Sequence, residues 1–299
     1  MLDSFGRSIN YLRISVTDRC NLRCVYCMPD KGVPLLGHDD ILSYEEITEI
    51  VKAATRLGFS KIRLTGGEPL VRKGIVDLVA MLSFIPEIHT LAMTTNGTLL
   101  GRYARELKAA GLMRVNVSLD TLDPELYKTL TRGGFLDDVL AGIEAAKSAG
   151  LAIKINTVVM EETDFTLLAA HPEASGSLLS LQANNSETSV SKPLPLIQAQ
   201  HIETVEAYAR SIGADFQRIA QYRLSEIKKD YTDYERPPAC ASCNRLRLLA
   251  DGTLRPCLHS AAGIKIDFND IEASIRRAVG TKPERGQHCN DLEVGQIGG

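Results

Sequence analysis

Over the first two-thirds of the chain, short runs of alternating apolar and polar residues take turns with longer stretches of helical pattern. The alternating runs lie at 12–16, 61–65, 90–94, 114–118 and 152–159, and the helical stretches near 43–57, 74–84, 99–110 and 136–149. Residues two apart share a face of a strand, so alternation marks strands with unlike faces. Ser43 with Glu46 fits a capping box, and Gly58 and Gly150 stand where helices stop. A later helix at 202–212 leads to a sixth strand at 216–219. Strands and helices alternating at this spacing predict parallel βα units. There are about six, fewer than the eight of a closed TIM barrel. The expected fold class is therefore α/β, an incomplete (βα)6 TIM-type barrel.

The parity of the strands separates two chemistries. Leu12, Ile14, Ile62, Leu64, Val115 and Ile155 fall on one face, which helices would cover. Arg13, Arg63, Thr94, Asn116, Ser118 and Lys154 fall on the other. An ordinary TIM barrel fills its interior with Val, Ile and Leu. A polar and basic lining predicts instead an open cavity for a polar, anionic substrate. The competing reading, a sheet solvated on one side, is disfavoured because parallel sheets are rarely bare on one face.

Composition narrows this further. The 299 residues, 44% hydrophobic, suffice for one large domain or two modest ones. A net charge of −3, from 34 basic and 37 acidic residues, gives no global field to draw nucleic acid. The start, MLDSFGRSINYLRISV, lacks a signal-peptide core, and no apolar run has transmembrane length. A cytoplasmic protein with no membrane contact is expected. Seven cysteines in such a chain favour metal or redox chemistry over a disulfide framework. Residues 171–193, rich in Ser, Asn and Ala, read as a long loop or insertion within an atypical stretch, 162–200.

Six of the cysteines form two triads. Cys20, Cys24 and Cys27 make a C-x3-C-x2-C run, and Cys240, Cys243 and Cys257 a C-x2-C-x13-C set. Each offers three thiolates, one short of a tetrahedral zinc site or a fully ligated four-iron cluster. Three cysteines on a [4Fe–4S] cluster leave one iron open to a ligand. The first triad directly follows the first strand, at the end where an α/β barrel builds its active site. Its tight spacing suits a cluster better than zinc. Thr65-Gly66-Gly67-Glu68-Pro69 follows the second strand, and paired glycines let backbone approach a ligand closely. In the second triad C-x2-C is also a zinc half-site, with His259 available as fourth ligand. Asp251-Gly252 reads as a hairpin turn that returns Cys257 to the first pair. Arg245 and Arg247 share a strand face beside it and suit a polyphosphate; in isolation they would be a solvated face.

The first triad, placed with the Gly-Gly turn, resembles the radical S-adenosylmethionine (SAM) superfamily. That resemblance implies a [4Fe–4S] cluster on Cys20, Cys24 and Cys27 whose open iron binds SAM. In that superfamily, reductive cleavage of SAM yields a 5′-deoxyadenosyl radical that takes hydrogen from the substrate. It also implies SAM contacts at Tyr26, Gly66, Gly67, Glu68 and Ser118. Over about 1–160 and 235–299 the chain is similar to the GTP 3′,8-cyclase family of molybdenum cofactor biosynthesis. LRISVTDRCNLRCVYCMP, KIRLTGGEPLVR, TTNG, VNVSLDTL, KINTVV, CNRLRLLADGTLRPCL and the final Ile297-Gly298-Gly299 carry the likeness.

This second resemblance implies conversion of GTP to (8S)-3′,8-cyclo-7,8-dihydroguanosine 5′-triphosphate. It implies a second [4Fe–4S] cluster on Cys240, Cys243 and Cys257 that holds the guanine. GTP contacts would come from Arg13, Arg63, Thr94, Lys154, Arg245, Leu246 and Arg247, and a catalytic role from Gly298 and Gly299. The implied organisation is a partial barrel over 1–220, with 221–299 carrying the second cluster and closing the open side. Implied partners are GTP, a low-potential electron donor such as flavodoxin or ferredoxin, and the next enzyme of the pathway. A homodimer is compatible with it.

The chain also departs from that family. A sixth strand of Arg-Phe-Ile-Glu-Phe-Met type is absent from 162–200, and Phe216-Gln217-Arg218-Ile219 holds no methionine. A remodelled cavity wall is expected. Cys289, beside His288, fits neither triad and reads as a spare thiol. Two alternatives stay open: a radical-SAM paralogue acting on another nucleotide or a peptide, and a non-catalytic metal-binding protein with zinc in the second triad.

Overall fold

A computed structural model describes residues 1–29, 31–160, 195–221, 239–260 and 262–287. The 171–193 stretch, Cys289, Gly298 and Gly299 lie outside the described residues. Six strands run parallel, each beside its predecessor: β1 (Tyr11–Ser15), β2 (Lys61–Thr65), β3 (Thr90–Thr95), β4 (Arg114–Ser118), β5 (Ala152–Val159) and β6 (Asp215–Ala220). The crossovers carry α1 (Tyr44–Arg56), α2 (Ile75–Ser83), α3 (Leu100–Ala109), then α4 (Pro124–Thr131) with α5 (Leu136–Ser148), and α6 (Pro195–Ser211). Beyond β1 the sheet continues through β7 (Arg245–Leu248), β8 (Thr253–Arg255) and β9 (Ile264–Lys265), followed by α7 (Ile271–Gly280). The order β6-β5-β4-β3-β2-β1-β7-β8-β9 is linear, so the sheet stays open, with β6 and β9 at its edges.

Local chemistry accounts for most of these bounds. The Ser43 hydroxyl accepts from the Glu46 N–H (3.1 Å) while the Glu46 carboxylate accepts from the Ser43 N–H (2.7 Å), the expected capping box. Gly58 (φ +90°) and Gly150 (φ +74°) take the left-handed conformation that ends a helix. Helix α4 adds to the helices that the periodicity predicts. Its signal is local: Asp123 accepts from the Leu126 N–H (2.9 Å) and Pro124 opens the first turn. The helix expected at 202–212 begins earlier, at Pro195.

The two faces separate as the parity requires. Leu12, Ile14, Ile62, Leu64, Val115 and Ile155 are at most 1% exposed and join one core under the helices. Asp251-Gly252 does turn β7 back into antiparallel β8, with Gly252 at φ +85°. Less local is the pairing of β7, which lies parallel to β1 with Arg13 opposite Arg247. That one contact brings the C-terminal cysteines to the mouth of the barrel.

Candidate active site

A cavity of about 220 Å³ lies on the polar face, toward the C-terminal ends of the parallel strands. All six triad cysteines line it. The first three sit on the loop after β1, where the Cys27 and Met28 N–H groups both donate to the Cys24 carbonyl (3.0 Å). Burial pushes the Cys20 and Cys24 thiols up, and at Cys24 the charges of Cys27, Asp120 and Cys20 add to it. Iron binds thiolate and removes that penalty. In the second triad burial also raises Cys257. At Cys243 burial is outweighed by Lys282, the Arg245 N–H and the Arg245 guanidinium, which lower the pKa. Among the described residues no three His, Cys, Asp or Glu side chains converge closely enough to enclose a single metal ion. A cubane cluster sets its thiolates wider apart, because each binds a different iron.

The Gly-Gly turn abuts the cysteine loop. A Cβ on Gly66 would stand 2.4 Å from the Thr17 carbonyl oxygen, and one on Gly67 2.3 Å from that of Arg19. Gly66 also holds φ +144°. These glycines let two backbones touch while both line the cavity. The carboxylate of Glu68 does not reach the cavity wall. It is 1% exposed and accepts from the Leu70 N–H (3.0 Å), the Thr95 hydroxyl (2.8 Å) and the Asn96 N–H (2.7 Å). Its observed contacts hold the turn after β3 in place.

Burial lifts the Glu68 carboxyl from 4.5 to about 7, although those donors pull it down. Between these values the folded protein binds a proton that the unfolded chain releases. Stability therefore falls as pH rises through this window, by about 3 kcal/mol for this group. Glu68→Gln, which does not ionise, flattens the profile. Urea unfolding of the metal-free protein at several pH values checks this; equal slopes for both proteins would refute it.

Tyr26 donates its hydroxyl to Asp120 (2.7 Å), and Asp120 accepts from the Val158 N–H (2.8 Å). Burial raises the Asp120 carboxyl to about 6. The pair ties the cysteine loop to β5. Arg132, held at φ +53°, donates to the Arg23 and Met28 carbonyls (2.9 and 2.8 Å) on either side of Cys24 and Cys27. Neither Asp120 nor Arg132 was singled out from sequence, because their partners are remote in the chain.

The basic wall is built from register. Arg13 stands opposite Arg63 on β2 and Arg247 on β7, so three guanidinium-bearing residues sit on adjacent strands at one level. Small Ala92 follows at that level on β3. All three arginines are at most 8% exposed. Tyr11, which no sequence motif marks, lies within 5.6 Å of both Arg63 and Arg245 through its ring. Arg13, Arg245, Arg247, Thr94 and Ser118 line the cavity, whereas Arg63 and Lys154 share the face without lining it. Leu246 is 1% exposed and belongs to the helix-side core. Thr94 Oγ1 and Asn156 Oδ1 are buried in the wall with no hydrogen-bond partner among the described residues. Buried polar atoms of this kind are normally met by a ligand, an ion or an ordered water. On β6, Arg218 pairs with Glu206 (2.8 Å), and Ile219 and Ala220, with Gln221 just beyond the strand, form that wall of the cavity. Arg7 closes the second cysteine loop from the N-terminal side. It donates to the carbonyls of Cys240 (2.8 Å) and Pro283 (2.7 Å) and is anchored by Asp3 (2.6 Å).

The Radical SAM superfamily profile matches residues 14–170. A GTP 3′,8-cyclase of Peptoclostridium acidaminophilum is 45% identical over 298 residues, covering 93% of this chain and 87% of that protein. The chain belongs to the GTP 3′,8-cyclase family of the radical SAM superfamily. A family member from Thermodesulfovibrio yellowstonii is 41% identical over the whole of both chains. Among solved structures, anSMEcpe with bound AdoMet superposes with a TM-score of 0.57 at 15% identity, over 92% of this chain and 80% of that one. Streptococcus suis SuiB gives 0.57 at 17%, over 92% and 66%. These two share the fold, an open parallel α/β sheet. Radical SAM membership brings SAM and [4Fe–4S] clusters as cofactors, and the thiol sets and orphaned wall atoms fit that use.

Proposed function

We propose that this chain converts GTP to (8S)-3′,8-cyclo-7,8-dihydroguanosine 5′-triphosphate, the first step of molybdenum cofactor biosynthesis. The observation that carries this reading is the meeting of two cysteine triads and a basic wall on one cavity. Cys20, Cys24 and Cys27 would hold one cluster, and Cys240, Cys243 and Cys257 the other. When bound, SAM and its cluster supply a radical able to take hydrogen from a ribose carbon.

The protein's own part is binding, orientation and exclusion of water. Gly66, Gly67, Ser118 and Tyr26 border the SAM side, and Glu68 keeps the Gly-Gly turn in register. Arg13, Arg245 and Arg247 offer guanidiniums to the triphosphate, with Arg63 and Lys154 behind them adding positive potential. Thr94 can donate or accept and Asn156 Oδ1 can accept, giving fixed polar contacts to sugar or base. Leu246 contributes through its backbone, since its side chain packs in the core. Gly298 and Gly299, outside the described residues, complete the site in this proposal, because only residues without side chains thread beside a bound nucleotide. The division into 1–220 and 221–299 is likewise part of it, with β7–β9 docking the second half onto the same sheet.

Turnover would draw one electron at a time from a low-potential donor such as flavodoxin or ferredoxin and pass product to the next enzyme. No helix among the described residues is long and apolar enough to cross a membrane. A cytoplasmic setting and a homodimer belong to the proposal. The deciding experiment uses anaerobically reconstituted protein, reductant, SAM and GTP deuterated at C3′. Deuterium in the 5′-deoxyadenosine is expected; unlabelled 5′-deoxyadenosine with both clusters present would refute GTP as the hydrogen donor.

A further inference from the structure

Lys282 follows α7 and is 3% exposed. Its ammonium donates to the carbonyls of Arg245 (2.8 Å) and Pro256 (2.5 Å). These carbonyls belong to the two segments that carry the second triad: Arg245 lies two residues past Cys243, and Pro256 immediately precedes Cys257. The side chain also lines the cavity onto which that triad opens. Among the described residues no carboxylate pairs with it. Its charge reaches both Cys243 and Cys257.

Taking an ammonium out of water costs several kcal/mol unless an opposite charge meets it. Two neutral carbonyls supply dipoles but no charge. Three thiolates and the cluster they would hold supply such an opposite charge. A cation fixed beside a cluster favours its more negative, reduced state, and net charge and hydrogen bonding around the sulfurs set cluster potentials.

We propose that Lys282 is a positioning residue for the second cluster: it fastens the two cysteine segments to each other and its charge raises the potential of the cluster. The proposal rests on the reading that Cys240, Cys243 and Cys257 hold a [4Fe–4S] cluster. No sequence motif marks this lysine, because both of its partners lie more than twenty residues away.

The test uses the full-length chain with Cys20, Cys24 and Cys27 replaced by alanine, so that only the second cluster contributes. Lys282→Met and Lys282→Arg are made in that background, and iron, sulfide and a potentiometric EPR titration are read for each. In Lys282→Met the ratio of reduced to oxidised cluster at the parent's midpoint is expected to fall about tenfold, a shift of about 59 mV for one electron. Lys282→Arg, which keeps the charge, is expected to recover most of it. Loss of iron in Lys282→Met with retention in Lys282→Arg would also support the role. An unchanged midpoint at full iron in Lys282→Met, or equal loss of iron in both variants, would overturn it. Should the parent itself take up no iron, the cluster reading of the triad fails first and the role of Lys282 falls with it.

Discussion

Cys24→Ala is expected to abolish 5′-deoxyadenosine formation from SAM. The loss should exceed the about 10- to 100-fold typical of removing an outer-shell partner of a metal site, because a ligand itself is gone. The substitution is clean. The turn around Cys24 is built from its carbonyl, which accepts from the Cys27 and Met28 N–H groups, and alanine keeps that carbonyl. Arg132 grips the neighbouring Arg23 and Met28 carbonyls and is equally untouched. The loop should keep its shape while the thiol disappears. The second triad, on separate segments, should retain its iron. Chromatography of 5′-deoxyadenosine under reductant, with iron counted per chain, checks both halves. Undiminished SAM cleavage would remove the first triad from the chemistry.

The second large effect is expected at Arg247. Like charges placed directly opposite one another on adjacent strands are destabilising, yet Arg247, Arg13 and Arg63 occupy one register level. A bound polyanion could meet more than one guanidinium of such a row, and arginine binds phosphate bidentately. Arg247 is 6% exposed, so its contacts to a phosphate would be made largely out of water. Truncating one partner of a buried charge pair costs about 2–5 kcal/mol, which corresponds to about 30-fold or more in kcat/KM for GTP. Arg247→Ala should leave both clusters and GTP-independent SAM cleavage in place, since a guanidinium is not an iron ligand. Steady-state cyclisation measured beside uncoupled 5′-deoxyadenosine production separates the two. Wild-type kcat/KM for GTP would exclude this arginine from the triphosphate site.

Several residues show where sequence reading succeeded and where it stopped. Arg13 and Leu12 could be assigned to opposite faces because strand period is a local property. The capping box at Ser43 and the turn at Asp251-Gly252 are legible for the same reason, and the Asp123-Pro124 start of α4 is a local signal of the same kind. Asp120, Arg132, Arg7 and Lys282 were not legible. Arg7 donates to a carbonyl 233 positions away, and Lys282 to one 37 away. Glu68 was assigned to SAM from its place in a motif, but its carboxylate is occupied by three donors of the protein itself. A motif records which residue type stands at a position and leaves open which atoms that residue touches.

The sequence by itself determined the chemistry available to this protein: two sets of three thiols, paired glycines after the second strand, and strands with one basic and one apolar face. Each follows from spacing along a few residues, where backbone geometry alone dictates direction. Only the tertiary structure decided that these parts form one site. The parallel pairing of β7 with β1 sets Arg247 beside Arg13 and turns both triads toward the same cavity. Hydrogen bonds between strands more than 200 residues apart depend on burial and register across the whole sheet, which no local pattern specifies.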